Sequence, residues 1–444
     1  MRRPSWRSWR VLATVAVLAI VSTACLGGGN NGSNAPGQSI TPKTAVEPTS
    51  PVTITFSSWV GDSPQMQGFV KDFEKLHPNI NIQLQSVSSA NATNKLIVQV
   101  AGNTAPDVAF VDSSAVTEFG SRNALVNLDG YMAGSPTSQP SEFVPAFLQM
   151  NQYGGSTYGL PYDGETTAMF YRKDLFDAAG LSYPTKDWTW DQFQSDAAKL
   201  TNTAQKQYGF AIFAPESEYY WEPFLWQAGG HLTSADGNSV AFNSPQGIQS
   251  ANFYVGLKQY SPPDYYGQTS WDGRVAFATG KVAMYEAGSW FGGEMNSSFP
   301  QIKGKWDVAP LPAGPGGCAT TVAGDSLVMF SQSKNQDAAW LWMQYLTQPD
   351  NMKAWTYGSP TTTLLPPRVD LLNDTAALGK YNPWLEGFAQ QMDCAVADNL
   401  GNKNWGQVSD ELNKQLGKAI YGDITPEEAI NTAAQNGQQM LSGG

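Results

Sequence analysis

Two short segments combine aromatic rings with polar groups in a pattern suited to binding sugars. They are Glu218-Tyr219-Tyr220-Trp221-Glu222 and Gly288-Ser289-Trp290-Phe291. The apolar C–H faces of a sugar ring can lie on aromatic rings, while its hydroxyls need carboxylate, amide or guanidinium partners. The chain contains 15 Trp, 18 Tyr and 20 Phe, so a carbohydrate site is expected among them. For any single ring, a place in the hydrophobic core is the alternative.

The sequence lacks the short motifs of metal-based and nucleophile-based catalysis. Its two histidines, His77 and His231, stand outside any H-E-x-x-H pattern, and there is no C-x-x-C pair, no G-x-S-x-G and no phosphate-binding loop. We therefore expect no catalytic residue, no metal and no cofactor, and a protein that is not an enzyme. A carboxylate-based glycosidase stays open, because it needs only two acids about 5 to 9.5 Å apart in space.

The first 24 residues are typical of a secretory signal peptide. Four arginines precede the apolar run Val11 to Val21, which is too short for a membrane span of about 20 residues. Cys25 follows at the cleavage point and resembles the acceptor of a bacterial lipobox, although Ser22 stands where leucine is usual. We expect lipidation of Cys25 and anchoring on the extracytoplasmic face of the cell membrane. Ordinary signal cleavage, which would release a soluble protein, is the alternative.

The remaining cysteines and the net charge limit the compartment and the partners. With Cys25 lipidated, Cys318 and Cys394 are left in an oxidising compartment and are expected to form one disulfide. Two separate buried thiols are the alternative. The formal net charge of −12 makes nucleic acid an unexpected partner.

The elements that must position these residues begin abruptly after a linker. Residues 26–51 are rich in Gly, Asn, Ser, Thr and Pro, which predicts a flexible linker. Val52 to Phe56 then alternates as a strand, and Ser63-Pro64 starts a helix that Pro78 ends. A second strand, a second helix and a third strand at Asp107 to Val111 follow. This β-α-β-α-β order predicts parallel strands and a doubly wound α/β fold.

Six segments in register resemble the family 1 extracellular solute-binding proteins of ABC transporters. They are VTITFSSW, FVKDFEKLHPNINIQL, GNTAPDVAFVD, YGLPYDGETTAMFYRKDLFDAAGL, DWTWDQFQSDAAKLT and FATGKVAMYEAGSW. The resemblance covers nearly all of residues 52 to 444. Arg172, where the family more often has Asn, and the Thr- and Pro-rich stretch Ser359 to Pro367 depart from the pattern.

The resemblance implies two α/β lobes of discontinuous chain with a hinge and an interlobe cleft, as in periplasmic binding proteins. Residues 52–162 and 313–363 would form the N-terminal lobe, and residues 166–310 and 368–444 the C-terminal lobe. The chain would cross between the lobes near Asp163 to Glu165, Leu311-Pro312 and Thr363 to Pro367. Ligands of open α/β sheets bind beyond the carboxyl ends of the strands, which again indicates the cleft.

The resemblance also implies a site and a role, namely capture of a di- or oligosaccharide by hinge closure and delivery to an ABC permease. The expected ligand-binding residues are Trp59, Asp62, Asp112, Glu165, Tyr219, Tyr220, Trp221, Trp290, Gly324, Asp325 and Trp405. The expected partners are a carbohydrate, the permease subunits and, through the lipid, the membrane, with the protein itself a monomer. A non-sugar solute such as a peptide, a polyamine or a phosphorylated polyol is the alternative within the binding class.

Overall fold

The computed structural model describes residues 40–215, 217–263, 273–397, 402 and 404–443. The predicted signal peptide, Cys25 and the linker up to residue 39 lie outside the described residues. The strands are β1 Val52–Ser58, β2 Ile80–Ser86, β3 Val108–Asp112, β4 Gln152–Tyr153, β5 Ser156–Thr157, β6 Gly159–Pro161, β7 Glu165–Arg172, β8 Tyr208–Phe210, β9 Val282–Gly288, β10 Trp306–Ala309, β11 Thr320–Ala323, β12 Asp325–Met329 and β13 Ala395–Val396.

The helices include the one predicted to start at Ser63-Pro64. They are α1 Pro64–Leu76, α2 Ser89–Ala101, α3 Ser114–Ser121, α4 Asp129–Gly134, α5 Pro145–Gln149, α6 Lys173–Ala179, α7 Trp190–Leu200, α8 Ser217–Gln227, α9 Pro245–Gly256, α10 Gly273–Ala278, α11 Trp290–Ser298, α12 Gln336–Leu346, α13 Pro349–Thr356, α14 Val369–Leu372, α15 Thr375–Leu378, α16 Leu385–Gln390, α17 Trp405–Tyr421 and α18 Pro426–Leu441. Ser63 and Ser244 accept N–H bonds at the starts of α1 and α9, and Thr189 and Thr425 form capping boxes. Among the described residues, no helix is both long and apolar enough to cross a membrane.

The first sheet has the strand order β2-β1-β3-β12-β6. β1, β2 and β3 are parallel, which confirms the predicted β-α-β-α-β start. β12 runs antiparallel to both β3 and β6. The chain enters β12 directly from β11 of the second sheet, after the single residue Gly324.

The second sheet has the order β13-β11-β7-β9-β8, with β10 also paired to β7. Both of its faces are covered, so β7 is buried at every position after Glu165 and its burial does not alternate. Ala168 and Phe170 point into the hydrophobic core that also covers one face of the first sheet. Met169 and Tyr171 point into a separate core formed with helices of the second part of the chain.

The chain passes between the two sheets at three neighbouring points. The first crossing, after β6, includes Gly164, which exchanges two backbone hydrogen bonds with Leu365 of the third crossing, at 2.9 and 2.7 Å. The second crossing is Gly324, between β11 and β12. The sequence placed this crossing near Leu311-Pro312; β11 instead adds to the second sheet by pairing with β7, which carries the chain farther before it returns.

The predicted disulfide is confirmed. Cys318 and Cys394 are bonded, with their Cα atoms 5.6 Å apart and a sequence separation of 76. The bond joins the segment before β11 to the segment before β13. Since these two strands pair in parallel, the disulfide fastens one edge of the second sheet.

Residues 40–51, here called the strap, lie along the first sheet's side of the molecule and were expected to belong to a flexible linker. The backbone N–H of Lys43 donates to the Gly130 carbonyl at 2.8 Å, and its ammonium contacts Tyr131 and, at 3.1 Å, Asp337. A composition rule could not predict this docking, because it depends on one lysine meeting a phenol and a carboxylate that are distant in sequence. A cavity of about 390 Å³ remains beside the strap.

Replacing Gly134 by Ala is expected to release the strap. The backbone of Lys43 occupies the space that a Cβ at Gly134 would need, so overpacking should cost about 1 to 3 kcal/mol locally. Limited trypsin digestion followed by mass spectrometry would detect faster cleavage after Lys43. Gly68→Ala is the matched control, because a Cβ there meets no atom within 4 Å. Equal cleavage rates in the two variants would contradict the role given to Gly134.

Candidate functional site

The crossings bring three of the predicted acids to the junction of the two sheets. Asp112 ends β3 and is the direct cross-strand partner of Asp325, the first residue of β12. Glu165 begins β7 and is paired with Ala323 at the end of β11. Only Gly324 separates Ala323, the partner of Glu165, from Asp325. Glu165 therefore belongs to the same cluster of acids as Asp112 and Asp325. Like charges placed directly opposite on neighbouring strands repel each other, so this cluster opposes the folded state.

Asp163, which the sequence analysis did not select as a ligand residue, connects the members of this cluster. Its buried carboxylate accepts the backbone N–H of Asp325 at 3.1 Å and the indole N–H of Trp355 at 2.7 Å. The backbone N–H of Tyr162 donates to the Asp325 carbonyl at 2.9 Å. The only signal in the sequence was its place beside Glu165 in the predicted crossing. Asp163 is therefore occupied by protein groups, and its role is to position the neighbouring acids.

Glu165 and Trp290 meet above Gly288. A Cβ at Gly288 would collide with the Glu165 carboxylate and with the indole nitrogen of Trp290, so glycine is required for these two groups to share this spot. Oε2 of Glu165 is buried and has no hydrogen-bond partner in the described part of the chain. Trp290 leaves 38% of its surface exposed. An acceptor without a partner thus lies next to an accessible aromatic ring.

Burial and mutual repulsion raise the pKa of Glu165, Asp325 and Asp163. Burial is the main cause for Glu165, whose pKa rises to about 8, with Asp163 and Asp112 adding repulsion. The same causes raise the pKa of Asp325 to about 10. The pKa of Asp163 rises only to about 6, because its hydrogen bonds from Trp355 and Asp325 favour the charged form against burial.

An aromatic cluster lines the first sheet's side of the acids. Trp355 stacks on Tyr162, with ring centroids 5.3 Å apart, and meets Phe110 edge-on. Trp59, which is partly buried, packs against the same Phe110 at 4.6 Å. Sequence reasoning selected Trp59 but missed Trp355, because Trp355 belongs to an ordinary amphipathic helix and reaches Asp163 only through the fold.

The three consecutive aromatic residues predicted to bind ligand, Tyr219, Tyr220 and Trp221, differ in their surroundings. Trp221 is fully buried, donates its indole N–H to Ser250 at 3.0 Å and packs against Phe242, so it belongs to the core and the prediction for it is wrong. Tyr220 is 8% exposed and also packs inward. Tyr219 is partly buried, and the charges of Glu165 and Glu286 both act on its hydroxyl. Tyr219 is thus the member of the trio that lies near the acids.

The remaining predicted residues occupy separate positions. The Asp62 carboxylate accepts a 2.6 Å hydrogen bond from Ser86, while Ser63 caps α1. Gly324 approaches the backbone of Asp163 and Gly164 so closely that a Cβ would collide with it. Trp405 begins α17 and is half-buried against the second core. Its participation in the site stays a prediction.

This arrangement can accept and donate hydrogen bonds beside an aromatic surface. Carboxyl groups with a raised pKa can do both, since the protonated form carries a donor. Among the described residues, no group of three or more His, Cys, Asp and Glu side chains could hold a metal ion. The chemistry present is therefore that of binding a polar molecule that has many donors and an apolar face.

Residues 57–353 match the sequence profile of the bacterial extracellular solute-binding proteins. The chain belongs to this family. The match runs from the end of β1 into α13 and so includes all strands between them, from both sheets, and the first two crossings. Two-lobed solute-binding proteins are also its structural neighbours, which confirms the predicted α/β fold with two lobes.

Several relatives share most of this solute-binding protein's length. A binding protein of Brucella abortus is 29% identical over 388 residues, which are 85% of this chain and 90% of the relative. An uncharacterized lipoprotein of Streptomyces antibioticus is 24% identical over 76% of each chain. An arabinooligosaccharide-binding protein of Halalkalibacterium halodurans is 22% identical over 82% of this chain and 79% of its own.

Two solved structures show the extent of the structural likeness. A solute-binding protein of an ABC transporter from Thermotoga lettingae, bound with α-D-tagatose, has a TM-score of 0.74 and 27% identity and covers 88% of this chain and 100% of its own. The sugar-binding protein MalE of Xanthomonas citri has a TM-score of 0.77 and 24% identity, covering 88% of this chain and 98% of its own.

The raised pKa of Glu165 predicts that its contribution to stability is lost as the pH rises. A carboxyl with a pKa of 4.5 in the unfolded chain and about 8 in the fold binds more protons when folded. That contribution is complete below pH 4.5 and disappears as the pH passes through about 8. Glu165→Gln should therefore show a flatter Tm profile than wild type between these two values, measured by scanning fluorimetry over a pH series.

Glu427→Gln is the control, since Glu427 is an exposed residue in the first turn of α18. It should follow the wild-type profile. If the profiles of Glu165→Gln and wild type are parallel, Glu165 does not titrate as described.

Proposed function

We propose that this protein captures a carbohydrate and delivers it to the permease of an ABC importer. The observation that carries the proposal is the partnerless Glu165 oxygen beside the exposed ring of Trp290. A sugar supplies both complements at once, a hydroxyl for the carboxyl group and a C–H face for the ring. Neither a purely apolar nor an anionic solute would suit this cluster of acids.

The comparisons support a sugar as the solute. The Thermotoga lettingae protein is bound with α-D-tagatose, and the relative from Halalkalibacterium halodurans is an arabinooligosaccharide-binding protein. The solutes of these proteins range from a monosaccharide to oligosaccharides. These relatives therefore support carbohydrate as the class of ligand for this chain, and they do not single out one sugar.

Capture would occur by closure of two lobes about the three crossings. The boundaries expected from the sequence, 52–162 with 313–363 and 166–310 with 368–444, then need one change. Residues up to Ala323 go with the second sheet, because β11 pairs with β7. A ligand that touches both lobes stabilises the closed arrangement, and the permease would recognise closure.

The protein would act from the membrane surface, held by a lipid on Cys25. The family is extracellular, and a relative that covers 76% of this chain is a lipoprotein. A diacylated cysteine supplies the two chains that stable anchoring needs, because a single acyl chain binds only marginally.

Trp290→Ala should weaken sugar binding and leave the fold intact. The variant loses ring contact that forms only in the complex, worth about 1 to 3 kcal/mol or roughly 5- to 150-fold in Kd. Its Tm without sugar should stay close to wild type, since Trp290 is 38% exposed. Calorimetry with the best sugar from a thermal-shift panel of tagatose, maltose and arabinooligosaccharides provides the measurement.

Tyr183→Ala is the control, since Tyr183 is a comparably exposed aromatic residue, at 40%, outside the cluster. It should bind like wild type. Wild-type affinity in Trp290→Ala would place the site elsewhere, and unfolding would show that the ring belongs to the core. Recovery of the sugar as cleaved products would favour the glycosidase.

Cys25→Ser should move the protein from the membrane fraction to the soluble fraction. The change removes the thiol that would carry the acyl chains and keeps the residue small. Fractionation and immunoblotting of the host cells provide the measurement. A soluble wild-type protein whose N-terminus is an unmodified Cys25 would contradict the anchor.

A further inference from the structure

Glu286, on β9, is a buried acid that none of the roles described so far uses. It is 3% exposed, and neither of its carboxyl oxygens has a partner at hydrogen-bond distance and angle in the described structure. Nearly all buried polar groups in native proteins are paired, so such an exception requires a physical reason. Leaving a carboxyl group unpaired in the interior opposes folding, and sites kept for binding are where proteins retain such groups.

The strand register places Glu286 on the same face of the second sheet as Glu165. Along β9, Glu286 and Gly288 point to the same side because side chains alternate. Gly288 is the cross-strand partner of Thr167, and Glu286 that of Met169, while Glu165 precedes Thr167 on that face of β7. Since the Glu165 carboxylate lies above Gly288, Glu286 is the next acid inward along the same polar row.

Hydroxyl groups surround this row. The Thr167 hydroxyl is 3.0 Å from that of Thr321 and 3.2 Å from that of Thr320. It is also close enough to Glu286 to favour the charged form, although burial dominates and raises the pKa of Glu286 well above its usual range. Tyr219, on α8, is influenced by the charges of both Glu165 and Glu286. A partly exposed side chain is thus subject to the charges of both acids.

We propose that Glu286 is the inner ligand-binding residue of the cleft and that the ligand supplies its missing hydrogen-bond donor, a hydroxyl or an ammonium group. This inference rests on the proposed function and adds one residue to the proposed ligand-binding site. Glu286 is closed off from solvent here, so ligand access requires neighbouring side chains to move.

Glu286→Met tests the inference by two measurements, the Tm without sugar and the Kd for sugar. Replacing a glutamate with a purely structural role would not give both expected results. Without sugar, its Tm should equal or exceed that of wild type, because an unpaired buried carboxyl is replaced by an apolar side chain of similar length. With the best-bound sugar, Kd should rise at least tenfold. The control is Glu411→Met, which removes a buried glutamate bonded to Gln415, Asn436 and Lys414. That control should lower the Tm and leave Kd unchanged.

Glu286→Gln distinguishes the two kinds of donor. The panel would pair glucose with glucosamine and galactose with galactosamine, besides tagatose, maltose and arabinooligosaccharides. Glutamine still accepts a bond from a hydroxyl, so a neutral sugar should lose only a few-fold in Kd. An ammonium group needs the charge, so an amino sugar should lose as much as in Glu286→Met.

Two results would overturn the inference. One is wild-type Kd in Glu286→Met, and the other is a loss of Tm like that of Glu411→Met. A panel in which no sugar shifts the Tm of wild type would instead contradict the proposed function, and the inference with it. If a sugar shifts the Tm of wild type and shifts that of Glu286→Met equally, this inference is contradicted and the proposed function is not.

Discussion

The buried carboxyl group of Asp163 holds together the chain segments from which the site is built. One of its oxygens binds the backbone of the second crossing at Asp325, and the other binds Trp355 from α13. Leaving either donor buried and unpaired would cost about 1 to 3 kcal/mol. Because Glu165 lies two residues farther along the chain, the same interaction fixes where the outer acid stands. The orientation of the cluster thus depends on a residue whose own oxygens are already occupied by protein groups.

The acids at the junction are kept together at a cost to stability. Asp112, Glu165 and Asp325 repel one another, and burial penalises the charged forms of Glu165 and Asp325. Two continuous cores and the Cys318–Cys394 bond stabilise the surrounding sheets against this repulsion. This arrangement favours ligand binding. A ligand that donates hydrogen bonds to the unpaired oxygens contributes binding energy, whereas in a fully paired site those oxygens would already be bonded within the protein.

Sequence reasoning was strongest where the governing interaction is local. Ser63 and Thr425 cap their helices with atoms only three residues away, so the pattern alone predicts them. The bond between Trp355 and Asp163 joins positions 192 residues apart and left no local signal. Trp221 was assigned to the wrong surface because a run of consecutive aromatic residues on a helix does not indicate which ring faces inward. The acids of the crossings were found through the family resemblance, and their crowding became visible only with the strand register.

The docked strap would shorten the tether that the proposed anchor at Cys25 provides. A fully extended chain from Cys25 to Val52 would reach about 90 Å, whereas the part from Cys25 to Ile40, before the strap, reaches about 50 Å at most. The volume accessible around the anchor falls with the cube of that length, roughly sixfold. For a receptor tethered at Cys25, the effective concentration at a nearby membrane partner rises by the same factor. A single lysine paired with Asp337 would thereby help to set how often receptor and transporter meet.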